Sequence, residues 1–359
     1  MPVTQGMTAR VSHISEFFNQ WAPQSIKLSY DNVGLLVGNP EQEVTNVLTC
    51  LDVTEEVVDE AVARKCDLIV SHHPLIFKGI KHIRPNSLEG AILYKLIQNN
   101  ISVIAAHTNL DAAYGGVSYV TAKRIGLQHI HFLDDSYSTA RFLTMTLPVN
   151  AAQFIRDHMR KMGIKHIEIF DYTHIDGDSK VVKLEAELDS WQVSEVKKIV
   201  FDTLPEKNTR FQVFSLDESS DSIGMGIIGE FEQAMNGKEF LNQISETLSV
   251  KAIRYAGYSE KVKKVAVCGG AGVSLTSLAR AKGADAFVTA DIKYHDYFIE
   301  RGPFMLVDVG HYESEVPVVD VMRDELKRRF KDLEVLSTRI KTSPMRVHIN
   351  DIQEKNNPE

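Results

Sequence analysis

The feature that most constrains this chain is an alternation, met twice, of short continuous apolar runs with amphipathic helical segments. Residues 44–53 form a largely apolar run suited to a buried strand. Thr54 then reads as the N-cap of a helix with Val57, Val58, Ala61 and Val62 on one face. Residues 67–71 are the next strand, 86–99 a helix, and 101–106 a strand ending at His107, after which Gly115 and Gly116 introduce another helix. The last third repeats the rhythm, with strands expected at 263–268, 286–290, 304–309 and 333–340 and helices at 274–282 and 317–330. Strands that are apolar along their whole length are buried on both faces, the pattern of a parallel sheet covered by helices. Residues 63–72 and 281–291 share a helix end, an Asp, a short apolar strand and a ligand-type residue. The expected fold is therefore α/β, with two related halves facing one another.

The middle of the chain breaks this rhythm. It reads as strand 142–148, helix 151–162, strands 166–171 and 181–188, helix 193–204 and strand 211–216. That β-α-β-β-α-β order belongs to a ferredoxin-like unit. Ser219, Ser220, Asp221 and Ser222 look like a linker. The expected organisation is a first half over 1–134, an inserted ferredoxin-like domain over 135–222, a second half over 223–345 and a polar tail over 346–359.

Four polar clusters each follow an apolar strand: Ser71-His72-His73-Pro74, His107-Thr108-Asn109-Leu110-Asp111, Asp291 with His295, and Gly310-His311-Tyr312-Glu313-Ser314-Glu315. In open α/β sheets ligands bind outside the carboxyl ends of strands, so four such clusters are placed to converge. Imidazole and carboxylate without thiolate suit zinc, iron, manganese or nickel. Adjacent strand residues point to opposite sides, so His72 and His73 can serve two different ions, with a carboxylate such as Asp111 between them. His311 and Glu315 share a face if their turn is helical, although Pro317 leaves Glu313 as an alternative.

Each residue also has a plainer reading. A His-His pair is often a surface turn. Asp111 alone is a natural helix cap, and His107 suits a core histidine or a partner that orients a ligand. His295, between Tyr294 and Tyr297, is open to either kind of role. His129, His131, His166 and His174 have no ligand context and read as surface residues. Gly269, Gly270 and Gly272 suggest a phosphate loop, but the Walker lysine is missing and the dinucleotide spacing fails, so a tight strand-to-helix turn is the expectation.

Bulk composition bears mainly on partners and setting. A formal net charge of -8 in 359 residues argues against nucleic acid as a partner. The basic cluster Lys327, Arg328, Arg329 and Lys331 reads as a solvated helix face. Cys50, Cys66 and Cys268 form no CxxC pair, so no disulfide framework is expected. With no signal-like start and no apolar run of membrane-spanning length, a cytoplasmic setting is the expectation.

The strings Asp31-Asn32-Val33-Gly34-Leu35-Leu36-Val37-Gly38, Ser71-His72-His73-Pro74-Leu75, His107-Thr108-Asn109-Leu110-Asp111, Cys268-Gly269-Gly270-Ala271-Gly272 and Gly310-His311-Tyr312-Glu313-Ser314-Glu315 occur in this order. Together they closely resemble the NIF-three-like family of dinuclear metal proteins, often labelled "GTP cyclohydrolase 1 type 2 homolog". The resemblance covers nearly the whole chain except its tail. It implies metal ligands at His72, His73, Asp111, His311 and Glu315 and two divalent ions per chain, zinc first, with iron, manganese or nickel as alternatives. It implies a toroidal homohexamer built as a trimer of dimers, with the middle domain similar to the PII and CutA folds. Tyr30 stands where members often have Trp, and Ala290 precedes Asp291 where Gly is common. The implied activity is metal-dependent hydrolysis of a nucleotide-like substrate, with His107 and His295 as the candidate catalytic proton carriers. A non-catalytic metal-binding regulatory or scaffold role is the alternative.

Overall fold

The structure is a computed structural model; it describes residues 8–136, 140–172, 181–205, 209–216 and 223–348. The linker read at 219–222, His174 and the tail from residue 353 lie outside the described residues.

Three parallel strands carry the first half: β1 (Asn46–Cys50), β2 (Leu68–Ser71) and β3 (Ser102–Ala105). Every residue of β2 and β3 is buried, as continuous apolar strands covered on both faces must be. Glu334–Ser337 extends the sheet in parallel beside β1, and Gly34–Val37 closes it antiparallel beside β3. The second half repeats the plan with β4 (Val262–Val267), β5 (Ala286–Thr289) and β6 (Phe304–Asp308), again parallel. Arg254–Tyr258 lies antiparallel at one side of this sheet, and Met225–Met235 and Gln128–Asp134 at the other.

The halves share more than strand order. Asp67, just before β2, accepts hydrogen bonds from the Thr45 and Asn46 amides at the start of β1. Asp285, just before β5, accepts them from the Lys263 and Lys264 amides in β4. One carboxylate thus ties two parallel strands at the same level in each half. The aspartate in the repeated sequence pattern is structural for this reason.

Local chemistry sets the helices. Thr54 Oγ1 accepts from the Val57 amide and Glu55 and Glu56 occupy the first turn of Glu55–Ala63, which complements the helix dipole. Pro317 opens Pro317–Arg329, whose last turn carries Lys327, Arg328 and Arg329. This helix packs Val318, Met322 and Leu326 against Val47, Val70 and Val335 of the first sheet. Two expectations shift. The helix at 274–282 is split into a 3-10 turn, Val273–Leu275, and a short helix, Thr276–Ala281. The last strand stops at Ser337 because the next residues turn to Glu60, whose carboxylate accepts from the Arg339 amide.

Between the halves, Ala140–Pro148, Val149–Lys161, Ile167–Tyr172, Val181–Asp189, Gln192–Thr203 and Phe211–Ser215 run strand, helix, strand, strand, helix, strand. The four strands form a separate antiparallel sheet ordered Phe211–Ser215, Ala140–Pro148, Val181–Asp189, Ile167–Tyr172. Leu143, Met145, Leu147, Ile155, Leu184 and Val196 give it a core of its own. Among the described residues no helix is long and apolar enough to cross a membrane. The three cysteines are buried free thiols.

Candidate metal centre

The carboxyl ends of the two parallel cores deliver the polar clusters to one place. His72 and His73 follow β2, His107 follows β3 at the start of the short helix Thr108–Ala112, and His311 follows β6 at the start of the helix His311–Glu315. The turn that made Glu315 uncertain in the sequence is helical, and the next helix begins only at Pro317. Glu315 therefore lies over His311 and is almost fully buried, whereas Glu313 turns toward Lys341.

Every one of these imidazoles has its Nδ1 occupied. His72 Nδ1 donates to the Ala106 carbonyl at 2.8 Å. His73 Nδ1 meets Asp52 Oδ1 at 2.7 Å, His107 Nδ1 meets Asp31 Oδ1 at 2.8 Å, and His311 Nδ1 meets Asp291 Oδ2 at 2.7 Å. An oxygen acceptor on Nδ1 places the proton there and leaves the Nε2 lone pair free, the orientation that metal-ligating histidines take. The Nε2 atoms of His72, His73 and His311 converge on carboxylate oxygens. Glu315 Oε2 lies 3.0 Å from His73 Nε2, 3.1 Å from His311 Nε2 and 3.9 Å from His72 Nε2. Asp111 Oδ1 lies 3.6 Å from His72 Nε2.

Among the described residues, His72 Nε2, Asp111 Oδ1 and Glu315 Oε2 are buried with no hydrogen-bond partner. Leaving three such atoms unpaired costs about 1–3 kcal/mol each, more for charged groups. A cation at their focus satisfies all three. Among the described residues, three sets have ligand atoms within 4.8 Å of one another: His72, His73 and His107; His73, His311 and Glu315; and His72, Asp111 and Glu315. Glu315 is common to two sets, so it, rather than Asp111, has the geometry of a bridge. The donor set is nitrogen and carboxylate oxygen throughout, as borderline and hard divalent ions require.

Electrostatics describes the same cluster as crowded. Burial holds the His72 imidazole down at about 3, so it is neutral. Burial also opposes charge on His73, but the Asp52 and Glu315 carboxylates push it up to about 10. The Glu315 carboxylate, joined by Asp291 and working against burial, brings His311 up to about 9. Burial and the neighbouring Glu315 charge push the Asp111 carboxyl well above its usual range. Glu315 is held far below that range by His311 and His73 in spite of burial. Without a cation, protons must take its place.

The glycine loop is a tight turn, not a phosphate cradle. The Gly269 amide donates to Ser118 Oγ, Gly270 to Ser314 Oγ and Gly272 to Thr289 Oγ1, so these amides are already used. The loop instead packs on the cluster: a Cβ on Gly270 would lie 2.3 Å from Glu315 Oε1.

His72, His73, His107, Asp111, His311 and Glu315 are thus brought together. Asp291 joins behind His311. His295 is not among them; it sits exposed on the 3-10 turn Tyr294–Tyr297, its ring against Tyr294 and Phe298. Two members were missed in the sequence. Asp52 follows β1 as the other clusters follow their strands, and that signal was sufficient to find it. Asp31 opens the string at 31–38, but nothing in the sequence ties it to His107, 76 residues away.

A family model described as Duf34/NIF3 (NGG1p interacting factor 3) matches residues 9–344. A Staphylococcus epidermidis protein named "GTP cyclohydrolase 1 type 2 homolog" is 32% identical over 332 residues, covering 86% of this chain and 90% of that protein. A Staphylococcus aureus protein of the same name is 30% identical over 364 residues, covering 93% and 99%. Among solved structures, the Staphylococcus aureus protein SA1388 superposes with a TM-score of 0.77 at 30% identity, covering 95% of this chain and 99% of that one. A Bacillus cereus protein related to NIF3 superposes with a TM-score of 0.78 at 29% identity, covering 96% and 100%.

Proposed function

The chain belongs to the Duf34/NIF3 family, and from that premise we propose that it is a dinuclear divalent-metal protein acting as a metal-dependent hydrolase on a nucleotide-like substrate. The observation that carries the metal reading is the set of free Nε2 atoms, each opposed by an oxygen on Nδ1, around two carboxylates with unpaired buried oxygens. His72, Asp111 and Glu315 would hold one ion, and His73, His311 and Glu315 would hold the other. When bound, two such ions supply Lewis acidity and activate water. Zinc is the first candidate, ahead of iron, manganese and nickel.

The protein's own part is orientation and proton handling. Asp52 and Asp291 fix the rings of His73 and His311, and Thr342 donates to the other oxygen of Asp52. His107 belongs to the cluster without touching either carboxylate ligand in these short contacts, and Asp31 holds its Nδ1 proton. That leaves its Nε2 to carry a proton to or from substrate. His295, exposed after β5, is the second candidate proton carrier. The name carried by the relatives motivates the nucleotide, GTP in particular.

The four-stranded unit between the halves is, in this reading, a ferredoxin-like domain of the PII/CutA kind over 135–222, inserted between halves at 1–134 and 223–345. It supports assembly into a toroidal homohexamer, a trimer of dimers in the cytoplasm. Its separate core also supports the second reading, a non-catalytic metal-binding regulatory or scaffold protein.

Elemental mass spectrometry on untagged protein tests the metal reading, beside His73→Ala and Asp111→Asn. About two ions per chain in the parent, with metal affinity falling roughly 10–100-fold or more in each variant, is the expected result. No metal after incubation with zinc, manganese or iron overturns it. Metal bound without any hydrolysis of nucleotides moves the weight to the scaffold reading.

A further inference from the structure

Two aromatic rings stand exposed beside the cluster, set against each other and against His107. Tyr30 is 62% exposed and Phe77 is 44% exposed, their ring centroids 6.1 Å apart, and the Phe77 ring is 6.4 Å from that of His107. Both are held to the cluster rather than left on free loops. Asp31, next to Tyr30, accepts from His107 Nδ1 and from the Thr108 amide. Asn32 Nδ2 donates to the Ile76 carbonyl at 2.7 Å, tying the segment of Tyr30 to that of Phe77. The chain then continues from Phe77 into the exposed residues Lys78, Lys81 and Arg84. No acidic residue occurs between Leu68 and Leu88, in a chain whose net charge is -8.

We propose that the Tyr30–Phe77 ring pair and the basic segment after Phe77 form a nucleotide-binding site at the mouth of the cluster, the base on the rings and the phosphates on Lys78, Lys81 and Arg84. Aromatic faces stack on any base, and ammonium and guanidinium groups draw phosphates to an otherwise acidic protein. The base is thereby set against His107. This deepens the proposed function and rests on it only for what happens to the base once bound.

The test is calorimetric titration of GTP and of inorganic tripolyphosphate into the full chain, with metal content read on the same samples. Tyr30→Ala with Phe77→Ala is expected to weaken GTP by roughly 5- to 100-fold and leave tripolyphosphate unchanged. Lys78→Ala with Lys81→Ala and Arg84→Ala is expected to weaken both ligands by about tenfold or more, and to flatten the salt dependence. Tyr30→Phe with Phe77→Tyr keeps both rings and binds as the parent does. Absence of GTP binding by the parent, or GTP affinity unchanged in either alanine variant, overturns the site. So does equal loss of both ligands in the ring variant. A parent without metal sinks the metal reading instead, and the ring and cation variants still decide this one.

Discussion

Gly270→Ala separates the cluster from the fold that carries it. Gly270 has φ +63, and a Cβ there would sit 2.3 Å from Glu315 Oε1 and 3.3 Å from His311 Cε1. Ordinary contact begins near 3.4 Å, so the carboxylate must retreat by about 1 Å. The atom that must move ends a side chain that is almost fully buried and reaches three imidazoles within 3.9 Å. Its retreat spends the geometry of the proposed metal site rather than that of the core. The backbone itself loses about 1–2 kcal/mol by placing an L-residue in the left-handed region. Gly283 is the control: its φ is +76, and an added Cβ meets nothing within 4 Å. Gly283→Ala should therefore lose only that backbone cost, and Gly270→Ala more, because the displaced Glu315 also holds His73 and His311, read by thermal or urea unfolding of metal-free protein. Only Gly270→Ala should lose metal affinity, by roughly 10–100-fold, read by competition with a chromophoric chelator. Equal metal affinity in the two variants would refute the argument that Glu315 is the shared ligand and that the loop exists to let it approach.

Asp52→Asn keeps the shape behind His73 but removes the charge that holds its Nδ1 proton, and should cost metal affinity roughly 10–100-fold; Thr342→Val, one hydrogen bond further back, should cost less, and the same chelator competition ranks them. In metal-free protein the raised values of His73, about 10, and His311, about 9, mean a stabilising contribution fully present below about 6.5 and lost as pH rises through those values. Unfolding measured in chelator from pH 6 to 10 should thus show stability falling with pH, with a shallower fall in His311→Gln. Far from the cluster, Asn236→Ala should cost about 1 kcal/mol by removing the cap of Gly237–Leu248, since Asn236 Oδ1 accepts from the Glu239 amide and Glu239 returns a bond to the Asn236 amide; unfolding curves at unchanged metal content check it.

The alternation of apolar runs and amphipathic helices was enough to place β1 to β6, because burial on both faces leaves no other pattern for a parallel strand. It was enough also to put His72, His107, Asp291 and His311 just past strand ends; the spacing of His311 and Glu315 placed them on one face only if their turn was helical, which Pro317 left open until the structure showed the helix. What periodicity does not carry is contact across long stretches of chain. That Asp31 holds His107, that Asp52 holds His73 and that Asp67 and Asp285 do the same work in two halves follow from strand ends meeting in space. The glycine loop has the composition of a phosphate turn, and only its hydroxyl partners, Ser118, Ser314 and Thr289, show that its amides are taken. The sequence determined which side chains could ligate a cation. The tertiary structure decided that Glu315, and not Glu313, lies where three imidazoles point, because a carboxylate's role is set by the few ångströms around it and by the neighbours that share its burial.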